Sequence, residues 1–173
     1  YPIVVLTGGD PFERPDLAQL VEHGTSLGLH MALSPSVTPR LQPQPLAPHP
    51  VEIIPAYPGA GRVLVDAART SAASLVIEAM GAGNMSGDMG RALADALRDG
   101  LPVVISTRTP YGATALSYGG DGGGASLRSL GAINAGAFRP SQARILLAAA
   151  LATGTDPAEV FRQSPDPKRY REA

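Results

Sequence analysis

Short runs of consecutive apolar residues alternate along this chain with stretches where apolar positions recur every three or four residues. IVVL at 3–6 reads as a buried strand closed by Gly8-Gly9. Leu17, Leu20, Val21 and Leu27 have a loosely helical spacing over 15–27, ended by Gly28, and LHMAL at 29–33 reads as a second short strand. These form one βαβ unit, which cannot cover both faces of its own sheet. Prolines 35, 39, 43, 45, 48 and 50 then remove donors and hold the backbone extended, the mark of a linker.

From Val51 the alternation becomes regular. VEIIPAY is a strand, 61–69 a short helix, and SLVIEAM at 74–80 a second strand. A helix near 87–99 puts Met89, Leu93, Ala96 and Leu97 on one face and stops at Gly100; LPVVIS at 101–106 is a third strand. Residues 110–124 read as a long polar, Gly-rich loop. Ala143, Leu146, Leu147, Ala150 and Leu151 mark an amphipathic helix over 140–153, closed by Gly154. Asp156-Pro157-Ala158-Glu159 is a capping box that opens a last helix to about Gln163, and the charged tail 165–173 is expected to fray. Strands alternating with helices predict an α/β fold: a parallel sheet of about four strands flanked by helices, plus the small N-terminal βαβ appendage. Strands 3–6 and 29–33 are expected to extend the main sheet or pack loosely beside it. The domain division expected is 1–41 for the βαβ fragment, 42–50 for the linker, 51–165 for the main domain and 166–173 for the tail.

Candidate chemistry centres on Gly81-Ala82-Gly83-Asn84, directly after SLVIEAM. Open α/β sheets bind ligands outside the carboxyl ends of their strands, and Asn84 stands there by sequence order. Gly83 would let backbone come close to a ligand. The competing reading, equally weighted on spacing alone, is a tight turn into the helix and nothing more. The full dinucleotide spacing is absent. TGGD at 7–10 also follows a strand, as a phosphate or cofactor loop would, although such Gly pairs are more often turns. His23, His30 and His49 have no metal spacing and read as surface or linker residues. No Ser or Thr sits in a nucleophile elbow. GGDGGG at 119–124 reads as a flexible loop.

Composition narrows the classes. The chain has 173 residues, 44% of them hydrophobic, enough for one domain or one domain with an appendage. With 5% aromatics and no Trp, the core must be Ala, Val, Leu and Ile. A net charge of −1 gives no nucleic-acid footprint and no attraction to anionic membranes. No apolar run approaches the ~20 residues of a membrane span. No Cys is present, which excludes disulfides, thiolate catalysis and Cys-held zinc or iron–sulfur sites in this chain. The first residue is Tyr1, and a processed chain or an internal fragment is expected. The compartment is open, with a soluble, cytoplasmic location slightly favoured.

Residues 51–163 resemble the C-terminal domain of the L-asparaginase family of Thr-dependent amidohydrolases. VEIIPAYPGA, LVIEAMGAGN, LRDGLPVVISTRTPYGAT, Tyr118-Gly119-Gly120, LGAINAGAFRPSQARILLAAAL and DPAEVF carry the likeness, in the family's order and spacing. The resemblance implies a Rossmann-like domain. It also implies that Asn84, in the family's G-x-G-N turn with Gly83, faces the substrate bound by a neighbouring subunit. The chain departs from the family in three places. The acidic residue that some members place after the third strand has no secure match, Gln142 replaces a usual Lys, and Arg139 is a poor N-cap, which puts the start of the long helix in question. The family's Thr nucleophile and its partners lie in a separate N-terminal domain, and only 50 residues precede Val51 here.

Thr7-Gly8-Gly9 superficially matches the family's first catalytic motif. GGDPFERPDLAQLVEHGTSLGLHMALSPSVTP instead resembles an internal piece of radical SAM enzymes, in which a Gly-Gly-acid-Pro turn meets the methionine part of S-adenosylmethionine. The matching residues are Gly8, Gly9 and Asp10; the Cys triad for the iron–sulfur cluster is absent. Two fragments joined in or near the Pro-rich segment would result from a gene fusion, a misassembled reading frame or a deliberate joining. The resemblances imply a substrate-completing, oligomerising domain of an asparaginase/glutaminase-like amidohydrolase, inactive alone and with no cofactor. Asparagine or glutamine would be the substrate of the complete enzyme, and the chain a homo-oligomer. The alternatives are a non-catalytic fusion or assembly module, or a fragment with residual S-adenosylmethionine binding.

Overall fold

A computed structural model describes residues 2–6, 11, 14–33 and 49–163. The chain divides into two compact units, one N-terminal and one from Leu46 onward.

In the first unit, β1 (Ile3–Leu6), α1 (Leu17–Ser26) and β2 (His30–Leu33) form the expected βαβ. The strands pair in parallel, Ile3 against His30 through Leu6 against Leu33. Among the described residues these two strands form a two-stranded sheet of their own. The expectation of a buried strand at 3–6 fails, because Ile3 and Val5 are 62% and 51% exposed. A two-stranded sheet with one crossover helix has a covered face and an open one, and alternate residues fall on the open one.

The second unit is a parallel sheet in the order β3-β4-β5-β6, with strands β3 (Val51–Pro55), β4 (Ser74–Ala79), β5 (Val103–Thr107) and β6 (Ile133–Asn134). Pro55 is tolerated because β3 lies at an edge. On one face Leu75, Ile77, Val103 and Ile105 pack against α2 (Val63–Arg69) and α3 (Gly87–Arg98), through Val65, Met89, Leu93 and Ala96. On the other, Val51, Val76 and Val104 meet Ala143 and Leu147 of α5 (Pro140–Thr153) and Phe161 of α6 (Pro157–Gln163). Burial on both faces is why β4 and β5 read as unbroken apolar runs. Phe138 and Phe161 meet edge to face, with ring centroids 6.1 Å apart.

The sheet has the four strands expected; its fourth, β6, and the short helix before it, α4 (Gly124–Ser129), lie where the pattern places no particular element. The start of α5 is also better secured than Arg139 suggests. Gln142 Oε1 accepts from the Arg139 backbone N–H at 2.9 Å, and the Arg139 guanidinium donates to the carbonyls of Thr109 (2.7 Å) and Gly112 (3.0 Å). Gly154 ends α5 in the left-handed region at φ 68°, and the Asp156 carboxylate accepts from Ala158 N–H at 2.9 Å to open α6.

Candidate functional site

Asn84 lies where β4, a central strand of the larger sheet, reaches its carboxyl end and turns back on itself. Met80 N–H donates to the Asn84 carbonyl (2.8 Å), and Asn84 N–H returns a bond to the Met80 carbonyl (2.9 Å). Gly83 is buried within this turn at φ 116°, a region that strains any residue with a Cβ; a Cβ there would also lie 2.5 Å from a Leu116 methyl. Gly83 is thus fixed by the path of the backbone, as the tight-turn reading requires.

Three neighbours hold the turn. Thr107, fully buried at the end of β5, donates its hydroxyl to the Gly81 carbonyl at 2.7 Å. Ala115 and Leu116 send their N–H groups to the Ala82 carbonyl (3.0 and 3.2 Å). Ser86 caps α3, its Oγ accepting from Met89 N–H at 3.3 Å while the hydroxyl donates to the Ala60 carbonyl.

The Asn84 carboxamide takes no part in this framework. It is half-buried and has no hydrogen-bond partner among the described residues. Backbone bonds hold the turn and Ser86 caps the helix, so the side chain is not needed for either. Asn84 is left with two donors and two acceptor lone pairs at the carboxyl end of the sheet.

The run at 119–124 is not the free loop expected from its glycines. Gly122 carbonyl accepts from Met85 N–H at 2.9 Å, and a Cβ at Gly90 would lie 1.8 Å from the Asp121 carbonyl oxygen. Cβ atoms at Gly122 and Gly123 would fall 2.2 Å from the carbonyls of Met85 and Gly119. These glycines let two backbone segments touch. Further along, buried Thr114 bonds the Asn134 side chain, and Asn134 Nδ2 returns a bond to the Thr114 carbonyl at 3.2 Å. Thr107, Ser86, Thr114 and Asn134 are the supporting residues sequence reasoning missed. Ser86 alone had a visible signal, a Ser directly before a helix.

Tyr57, Tyr111 and Tyr118 are exposed on the segments that follow β3 and β5. Gly8, Gly9 and Asp10 lie outside the described residues. His23 and His30 are exposed, and the described residues hold no group of three or more His, Asp or Glu placed to bind a metal. No helix among them is long and apolar enough to cross a membrane.

The model of the glutaminase/asparaginase C-terminal domain matches residues 50–163. A probable L-asparaginase of Deinococcus radiodurans is 34% identical over 134 residues, covering 78% of this chain and 40% of that protein. The crystal structure of a probable cytoplasmic L-asparaginase from Campylobacter jejuni superposes with a TM-score of 0.59 at 30% identity, over 67% of this chain and 37% of that one. The chain therefore matches well under half of either relative's length. An AdoMet-dependent heme synthase of Oleidesulfovibrio alaskensis is 51% identical over 37 residues, 21% of this chain and 10% of that protein.

Proposed function

The chain belongs to the glutaminase/asparaginase C-terminal domain family, and from that membership we propose that residues 51–165 are the substrate-completing and oligomerising domain of an asparagine- or glutamine-hydrolysing enzyme. The observation that carries this reading is the Asn84 carboxamide, without a hydrogen-bond partner among the described residues and held at a strand end by other residues' hydrogen bonds. An amide can both donate to and accept from the polar groups of an amino-acid substrate, and a fixed turn supplies orientation at no further ordering cost. Gly83 contributes the backbone path. In the complete enzyme the resemblance implies a Thr hydroxyl that attacks the side-chain amide, with loss of ammonia and hydrolysis of the acyl-enzyme. The nucleophile would come from outside residues 51–165, and no ammonia release is expected from those residues by themselves. The likeness to a Campylobacter protein described as cytoplasmic favours that compartment.

The test is ammonia release from asparagine and glutamine. It is run with this chain alone and with the N-terminal part of the Deinococcus relative supplied in trans. No release from the chain alone and release from the mixture is the expected result. Turnover by the chain alone, or a mixture in which Asn84→Ala changes nothing, overturns the reading.

Exposed Tyr57, Tyr111 and Tyr118 favour a second reading, a non-catalytic assembly module, since exposed aromatics of this kind mark protein interfaces. A clean monomer in sedimentation at tens of micromolar counts against assembly, and Asn84-dependent ammonia release from the mixture counts against a non-catalytic role. The 37-residue likeness to the heme synthase supports residual S-adenosylmethionine binding through Gly8, Gly9 and Asp10. Without Cys the chain cannot hold that family's cluster, so only binding is at issue, and a titration without heat excludes it.

A further inference from the structure

The surface arginines of the larger unit are used in two ways. Arg62, Arg69, Arg91 and Arg98 are all ion-paired. Asp66 and Asp95 serve Arg62, Asp66 and Asp99 serve Arg69, Asp88 and Asp121 serve Arg91, and Asp95 also serves Arg98. The other five arginines among the unit's described residues, Arg108, Arg128, Arg139, Arg144 and Arg162, have no acidic partner there; Arg139 and Arg144 donate to backbone carbonyls, and Arg128 and Arg162 are left with neither. Both line a single cavity of about 470 Å³ beside β6, at the open edge of the sheet. Among the described residues no Asp or Glu lines it. Phe161 and Ala158 from α6 and Ile133 from β6 give it an apolar wall.

Each arginine has a local explanation by itself. Arg128 stands in the last turn of α4 and Arg162 in the last turn of α6, where a cation complements the helix dipole. That does not account for the two lining one cavity that no Asp or Glu among the described residues lines. Like charges gathered in one cleft repel, and an anion between them removes the repulsion. Guanidinium forks match the two oxygens of a carboxylate or phosphate. The volume lies within the range of small-molecule sites, roughly 300–1,000 Å³.

We propose that the cavity between α4, β6 and α6 binds a small organic anion, its carboxylate or phosphate held by Arg128 and Arg162 and its apolar body lying against Phe161. Asn84 and Gly83 do not line this cavity, although Asn134, which bonds Thr114, does, and the proposal does not depend on the amidohydrolase reading.

The experiment is a titration of the full chain with benzoate and with phenyl phosphate, followed by backbone amide NMR, with inorganic phosphate as the control. The expected result is saturable shifts at Arg128, Gly131–Gly136 and Ala158–Arg162 with at least one organic probe, and weaker binding of inorganic phosphate. The two probes separate a carboxylate from a phosphate preference. Arg128→Gln and Arg162→Gln should each weaken binding about tenfold or more, as expected for losing a hydrogen bond to a charged group. Arg98→Gln, which alters a paired arginine elsewhere, should leave it unchanged. Ala158→Leu, which fills the cavity without touching charge, should also block the probes, so the proposal can fail even if a charge variant does not fold. Absence of saturable shifts with both probes overturns it. Inorganic phosphate binding as tightly as phenyl phosphate, or undiminished binding in Ala158→Leu, also overturns it.

Discussion

The hydroxyl of Thr107 donates to the carbonyl of Gly81 across 2.7 Å, from the end of one strand to the turn that follows its neighbour. The turn that carries Asn84 is therefore anchored from outside itself. The same oxygen accepts from Thr109 N–H at 3.2 Å, so one buried hydroxyl ties together the exits of β4 and β5.

Thr107→Val keeps the volume and removes the hydroxyl. The Gly81 carbonyl and the Thr109 N–H lose a shared partner, so the variant should be less stable by about 1–3 kcal/mol. Thr107→Ser keeps the hydroxyl and should avoid most of that loss. Urea unfolding of the two variants checks this, and equal midpoints would show that the hydroxyl does not hold the turn.

Gly90→Ala places a Cβ 1.8 Å from the Asp121 carbonyl oxygen, a backbone atom that cannot swing aside. Forcing α3 and the 119–124 segment apart should cost about 1–3 kcal/mol or more. Gly61→Ala, where nothing lies within 4 Å and φ is not positive, is the matched control and should be near neutral. Thermal unfolding of both proteins decides whether close approach, and not glycine content as such, sets the effect.

Asn84→Ala and Ser86→Ala should separate presentation from capping. Loss of the Ser86 cap should destabilise by about 0.5–2 kcal/mol. Loss of the unpartnered Asn84 carboxamide should stay within about ±0.5 kcal/mol. In a mixture that has gained activity, Asn84→Ala should lower it about ten- to a hundredfold, the worth of one hydrogen bond to a charged group. A large stability loss in Asn84→Ala with unchanged activity per folded molecule would make the residue structural.

Asp66 accepts from Arg62 at 2.6 Å and from Arg69 at 3.2 Å, and the hydrogen bond from Arg62 is the main cause that holds its carboxyl below the usual aspartate range. A depressed folded-state pKa adds stability above the unfolded value, about 3.9, and that stability is lost as pH falls through the lower folded value. The urea midpoint should thus drop in acid from about pH 4 downward, with Asp66→Asn showing less of the drop. The pair is exposed, so the difference between the two proteins should shrink in high salt. A pH-independent difference would argue against the linkage.

Elements buried on both faces or strongly one-sided were legible in the sequence. SLVIEAM and LPVVIS announce central strands, and Met89, Leu93 and Ala96 announce the face of α3. β6 was not, because Ile133 and Asn134 are too few to show a period; they are a strand only because β5 lies beside them. α4 begins with Gly124, a residue that usually argues against a helix. At the candidate site, Asn84 could be singled out from strand order alone. Thr107 and Thr114 could not, since nothing local tells a buried hydroxyl that bonds a distant carbonyl from one that faces water. The GGDGGG run misled for a related reason. Glycine marks mobility or tight contact equally well, and only the partner segment at Met85–Gly90 decides between them.

Ser86 caps the helix while Asn84 stands free two residues earlier, and this gives neighbouring positions very different tolerance to change. A saturation library at 84 should yield mostly folded, soluble members, so its side chain can be exchanged for another hydrogen-bonding or charged group without rebuilding the domain. The same library at 83 or 90 should yield few, since φ 116° or a backbone oxygen meets every replacement. If Asn84 meets substrate as proposed, selection acting on this turn can explore ligand preference through one residue while its scaffold stays constant, and a change of specificity in this lineage would be sought first at position 84.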